Sequence, residues 1–186
     1  MSIDTTIKTA ETKMQAAITA VEHHFNTLRT GRASTALLDD IRVEVYGQEM
    51  PIAQIANIST PDARSITIQP WDASTLGKIE KAIQTSDLGI NPQNDGKIVR
   101  LVLPPLTEER RKELVKKAHH MAEEGRIAIR NVRRHAKEEL DKMKKNKEIS
   151  EDQAHDATDR LQKVTDKWIK KVDEVLAKKE KEIMEV

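Results

Sequence analysis

At 186 residues and 21.1 kDa, the chain has the size of one medium domain or two small ones. Charged residues make up 34% and aromatic residues only 2%, and there is no cysteine. An aromatic-rich sandwich core is therefore not expected, and disulfides, thiolate metal sites and cysteine nucleophiles are excluded. The net charge of +1 hides a pattern: residues 1–30 carry 0, 31–104 carry −2, 105–148 carry +5 and 149–186 carry −2. An anionic partner is to be sought along 105–148.

Residues 1–29 read as a helix, because Ile3, Ile7, Ala10, Met14, Ile18, Val21, Phe25 and Leu28 recur at steps of 3 and 4. Period and content change over residues 31–104. Ile41, Val43 and Val45 alternate with polar residues and end at Tyr46-Gly47, which predicts a strand and a turn. Ile52, Ile55 and Ile58 mark a looser extended stretch. Ser65–Gln69 and Ile98–Leu103 read as strands. Residues 74–86 read as a short helix on Leu76, Ile79 and Ile83, capped by Asp72 or Ser74. This is a small β/α/β domain.

Pro104 and Pro105 bar any helix from the left, and Thr107 suits the start of a long helix over 106–146. Its seam is Leu114, Ala118, Met121, Gly125, Ile129, Val132, Ala136, Leu140 and Met143. The spacing predicts a rod about 60 Å long. A third helix over 150–185 opens on Ser150 with Gln153 completing a capping box. Its seam is Ala154, Ala157, Leu161, Val164, Trp168, Val172, Val175 and Ile183, and its lapse near Lys179 predicts fraying of the last turns. None of the three helices buries its stripe alone, so the expected fold is α+β. It is an elongated antiparallel three-helix bundle of 1–30 and 105–186, discontinuous in sequence, with the β/α/β domain 31–104 inserted.

Two chain crossings, at 30–32 and 103–105, join the parts. Gly31 tolerates backbone rotation on one, and Pro104-Pro105 stiffens the other, which suggests a hinge. Equally, Gly31 can be an ordinary helix C-cap, with the prolines only ending a strand.

No catalytic constellation is found. The six histidines do not converge, since adjacent pairs on a helix point about 100° apart. No phosphate loop or nucleophile motif occurs, so an enzyme, a metal or a cofactor is not expected. The basic stripe says more. Arg126, Arg130, Arg133 and Lys137 step by 4, 3 and 4, each one position after a seam residue, and Arg134 flanks them. Arg130 and Arg133 have no acid at i±3 or i±4, only one another, Arg126, Arg134 and Lys137. Like-charge pairs at these spacings each cost roughly 0.2–0.5 kcal/mol, a loss that an external polyanion would recover. Arginine suits phosphate, because its planar fork binds two oxygens. Four rings spread over two domains make no platform for bases, so the expected ligand is a folded, duplex-rich nucleic acid. Arg29, Arg32, Arg110 and Arg111 form a second basic group at the crossings; helix-end charge explains them equally well. A helical adaptor or chaperone-like protein, holding a protein client on an open seam, is the alternative.

Nothing at the N-terminus has a signal-peptide core, Asp4 and Glu11 disfavour a transit peptide, and no uncharged run reaches membrane-span length. A soluble, cytoplasmic, monomeric protein is expected.

Five segments carry a resemblance: Arg29-Thr-Gly-Arg-Ala-Ser34, Ser86-Asp-Leu-Gly-Ile-Asn-Pro92, Leu103-Pro-Pro-Leu-Thr-Glu-Glu-Arg-Arg-Lys112, Arg130-Asn-Val-Arg-Arg134 and Lys147-Glu-Ile-Ser-Glu-Asp152. Together they resemble the signatures of the bacterial ribosome recycling factor family. They keep the family's order and span the chain; Thr35 departs from a common proline. The resemblance implies an L-shaped molecule with a hinge between bundle and small domain. It implies binding to the post-termination ribosome through large-subunit RNA. It implies splitting into subunits with elongation factor G, which binds and hydrolyses the GTP. The family's RNA-contacting arginines fall on Arg32, Arg130 and Arg133, with Arg29 and Arg134 as neighbours.

Overall fold

The computed structural model describes residues 2–28 and 30–185, and it divides into two compact units. One joins the chain up to Phe25 with the chain from Val115 onward; the other is Asn26–Leu114.

In the first unit, helix α1 (Ile3–Asn26) buries Ile7, Ala10, Met14, Ile18, Val21 and Phe25, the stripe its spacing predicts. The small unit follows in sequence. A hairpin of β1 (Arg42–Val45) and β2 (Gln48–Pro51) turns at Tyr46 and Gly47, with φ of 52° and 77°. Two positive φ values in a two-residue loop make the primed turn that matches strand twist. Tyr46 is an unusual residue there, and its Oη donates to Asp72 Oδ2 at 2.5 Å. The other Asp72 oxygen caps the turn that leads into α2, accepting from Ser74 N–H at 3.0 Å. Its carboxyl is held below the usual carboxylate range, chiefly by the Tyr46 hydrogen bond. Strands β3 (Ala56–Asp62) and β4 (Ser65–Pro70), helix α2 (Leu76–Gln84), and strands β5 (Gln93–Asn94) and β6 (Val99–Val102) complete the unit. The larger sheet has the order β3-β4-β6-β5 and is antiparallel throughout. Ile66 and Ile68 of β4, Val99 and Leu101 of β6 and Ile79 of α2 are fully enclosed between sheet and helix. Strands β2 and β5 have no counterpart in the sequence reading. Both are largely exposed and lack alternation, so only backbone pairing defines them.

Helix α3 (Glu108–Lys145) starts at Thr107, whose Oγ1 accepts from Arg110 N–H at 3.1 Å. It ends with Lys147 at φ 60°, where Glu148 N–H bonds Met143 O and Lys147 N–H bonds Lys144 O. That pair of bonds is a Schellman stop with lysine in the position glycine usually takes. Helix α4 (Glu151–Met184) opens on the expected box: Ser150 N–H donates to Gln153 Oε1 and Gln153 N–H to Ser150 Oγ.

Ion pairs between the helices of the first unit fix their directions. Asp4 meets Arg160 and Glu11 meets Lys167, so α1 and α4 advance together. His119 meets Glu180 and Arg126 meets Asp173, so α3 runs against α4. The α4 seam differs from expectation in detail. Thr165 and Leu176 are buried, while Val164, Trp168 and Val175 are only half covered. The Thr165 hydroxyl is satisfied by Leu161 O at 2.8 Å. The lapse at Lys179 does not end the helix. Its stem is buried in the seam, its ammonium reaches Glu182, and Ile183 beyond it is fully enclosed.

At Gly125, α3 packs so closely on Val21 of α1 that a Cβ built there would clash with Val21 Cγ2. Valine is stiff at χ1, so the clash must be met by backbone movement. Gly125→Ala gains about 1 kcal/mol of helix propensity but overpacks the contact by about 1–3 kcal/mol. We expect a net loss of about 1 kcal/mol in urea denaturation, partly relieved when Val21→Ala is added. A fully stable Gly125→Ala protein would contradict this packing.

Candidate nucleic-acid interface

The basic residues of α3 fall on successive turns, but their surroundings divide them. Arg126 is the most covered, with 18% of its side chain exposed. Its Nε and Nη2 both donate to Asp173 Oδ1 of α4, at 3.0 and 2.6 Å. Its Nη1 donates to Glu123 Oε2 at 3.1 Å. The fork is filled from two helices, so Arg126 acts as a clamp between α3 and α4. The sequence places it in the water-facing line with Glu123 at i−3, and that pairing is present; the second partner, Asp173, turns it inward. The nearness of Asp173 was invisible in sequence, because it depends on the packing of α4.

Arg130 is half exposed and makes one bond, from Nη1 to Glu123 Oε1 at 3.3 Å. Arg130 has no acid at i±3 or i±4, and its side chain instead reaches back two turns to one at i−7. The Arg126 hydrogen bond, with a second from Arg130, holds the Glu123 carboxyl below its ordinary range. Arg133 is half-buried and Arg134 exposed, and among the described residues neither has a hydrogen bond or ion pair. Lys137 is tied to Asp141 Oδ1 at 2.5 Å. The face therefore passes from an arginine bonded through all three nitrogens at 126, through a singly bonded one at 130, to ones at 133 and 134 that have no bond among the described residues.

At the crossings, Arg32 is exposed and has no partner among the described residues. Arg110 is paired with Glu113 at 2.9 Å. Arg29 lies outside the described residues. Gly31 has φ +85°, which favours glycine, and a Cβ there would meet only Leu106, at 3.8 Å. Both crossings are stitched to one turn between β3 and β4. Ala33 N–H donates to Ala63 O at 2.7 Å, Leu103 N–H donates to Arg64 O at 2.7 Å, and Arg64 Nε donates back to Leu103 O at 3.2 Å. Arg64 was not singled out in sequence; nothing there signals a partner 39 positions away.

Among the described residues no three His, Asp or Glu side chains gather as metal ligands, and no helix is long and apolar enough to cross a membrane.

Residues 21–184 match the family model of ribosome recycling factor. The ribosome-recycling factor of Nitratidesulfovibrio vulgaris is 53% identical over 186 residues, covering all of both chains. That of Synechocystis sp. is 56% identical over 182 residues, covering 97% of this chain and all of the relative. A solution structure of a ribosome recycling factor is 45% identical with a TM-score of 0.76, covering 100% of this chain and 99% of that one. Also similar, at 45% identity and a TM-score of 0.66 over the whole of both chains, is the Thermus thermophilus factor in models with Escherichia coli elongation factor G, bound to the post-termination complex. Identity above half along the full length, on the same fold, makes this chain a member of the ribosome recycling factor family.

Proposed function

We propose that the chain binds the post-termination ribosome through large-subunit RNA and, with elongation factor G hydrolysing GTP, splits it into subunits. Its family is one of translation factors that are not enzymes. The observation that carries the RNA contact is that Arg133 and Arg134 have no hydrogen bond or ion pair among the described residues, beside the singly bonded Arg130. Three such cations on adjacent turns suit phosphates along a duplex edge. Arg32 is a further contact, and Gly31 with Pro104-Pro105 forms the hinge. The protein acts as a monomer in the cytoplasm. The absence of a phosphate loop from the sequence agrees with nucleotide chemistry carried out by the partner.

Light scattering of purified post-termination ribosomes tests this. Subunits are expected to separate only when the chain, elongation factor G and GTP are all present. Separation independent of the chain would end the proposal. Binding to large subunits is expected to weaken by roughly fiftyfold between 50 and 200 mM salt, if about three phosphates are neutralised.

A further inference from the structure

Glu123 sits between the two arginines that differ most in commitment. One oxygen, Oε2, is fixed by Arg126, whose other two nitrogens each donate to Asp173 of the neighbouring helix. This leaves Oε1 aimed along the helix at Arg130, two turns on. The Arg130 bond is long at 3.3 Å, single, and half exposed at both ends. A guanidinium offers five N–H donors in a planar fork, so four of them remain unused by Glu123. A carboxylate presents oxygens much as a phosphate does, and the two therefore compete for one fork.

We infer that Glu123 holds Arg130 in the unbound protein and surrenders it to an RNA phosphate, so that this carboxylate sets how strongly the α3 face binds RNA. The inference rests on the RNA-binding reading above. Two effects oppose each other. Glu123 keeps a long side chain in one place before binding, which lowers the ordering cost. It also leaves a negative charge beside the incoming phosphate once Arg130 has moved. An exposed pair with one long bond positions weakly, whereas the repulsion persists in the complex, so the second effect wins. Arg133 and Arg134 have no such carboxylate, which makes Arg130 the adjustable contact of the three.

The test measures binding of wild-type, Glu123→Gln, Arg130→Ala and the double variant to purified large ribosomal subunits over a range of salt. Glutamine keeps an acceptor for Arg126 and removes the charge, and Asp173 still holds Arg126. Glu123→Gln is expected to bind about two- to fivefold tighter at low salt. Its salt slope should steepen by up to about 0.9, one further phosphate effectively neutralised. In the Arg130→Ala background the same change should alter affinity by less than about 1.5-fold. Glu124→Gln removes a neighbouring charge that pairs with His120 rather than with an arginine, and should likewise have little effect. Unchanged or weaker binding by Glu123→Gln overturns the inference. So does a gain that survives in Arg130→Ala or is matched by Glu124→Gln, because that is general field and not exchange. If the wild-type chain shows no salt-dependent binding to large subunits, the RNA reading itself fails, and the inference with it.

Discussion

Arg133→Ala is expected to weaken binding to large ribosomal subunits by about ten- to a hundredfold, the equivalent of a charged hydrogen-bond pair worth ~1.5–3 kcal/mol. The same variant should melt within about 0.5 kcal/mol of wild type, as substitutions away from an internal network generally do. The reasoning is that Arg133 has no hydrogen bond or ion pair among the described residues, so alanine orphans nothing inside the fold. Its side chain is half-buried, so part of it is already covered before any ligand binds. Arg133→Lys keeps the charge but not the planar fork and should fall between the two. Arg126→Ala should behave in the opposite way. It strips Asp173 and Glu123 of their shared partner and loosens α3 from α4, so its main cost is stability. If Arg133→Ala instead lost stability and kept its affinity, the basic face would be structural and the RNA contact would lie elsewhere.

That contrast between two arginines seven positions apart also marks the limit of what sequence discloses. The helices were legible because apolar side chains at steps of 3 and 4 can only be buried along one stripe, and the seams of α1 and α3 followed it closely. The Ser150 box and the Asp72 cap were legible because capping is chemistry over three or four residues. Strands β2 and β5 were not, since their definition lies in the backbone of a partner strand. The continuation of α4 past Lys179 was missed because a lysine counted as polar, although its methylene stem can fill a seam. At the site, Arg130 and Arg133 stood out by their lack of acids at i±3 or i±4, whereas Arg126 had Glu123 within reach. The degree to which each arginine is committed was not legible. It depends on Asp173, which α4 brings to Arg126, and on Glu123, which Arg130 meets seven positions back along α3.

Relaxing Pro104-Pro105 to Gly-Gly is expected to slow subunit separation driven by elongation factor G on the order of tenfold, while ribosome affinity stays within a few fold. The structure narrows where the connections can yield. Leu103 is fully buried in the core of the small unit, and Arg64 uses both its N–H and its carbonyl. Ala33 is held by Ala63 on the same turn. These bonds fix Ala33 and Leu103 within the small unit, next to Gly31-Arg32 on one connection and to Pro104-Pro105 on the other. Gly31 is a poor place for the test. At φ +85° a proline, locked near −65°, cannot replace it, and even alanine would be strained by about 1–2 kcal/mol. The prolines carry no such demand, and glycine in their place softens the connection without adding bulk. Gly-Gly gives the unfolded chain more freedom, so a loss of roughly 1–2 kcal/mol is expected in denaturation. That loss is to be measured first, so that slow splitting is read only from a folded protein. A protein that merely plugs an RNA groove needs no stiffness here. One that passes force from a GTPase to a ribosomal contact loses part of each stroke in a soft joint. Affinity and splitting should then separate in this variant, whereas in Arg133→Ala they fall together. A folded Gly-Gly protein that split ribosomes at the wild-type rate would make the joint incidental and leave the mechanism to the helices alone.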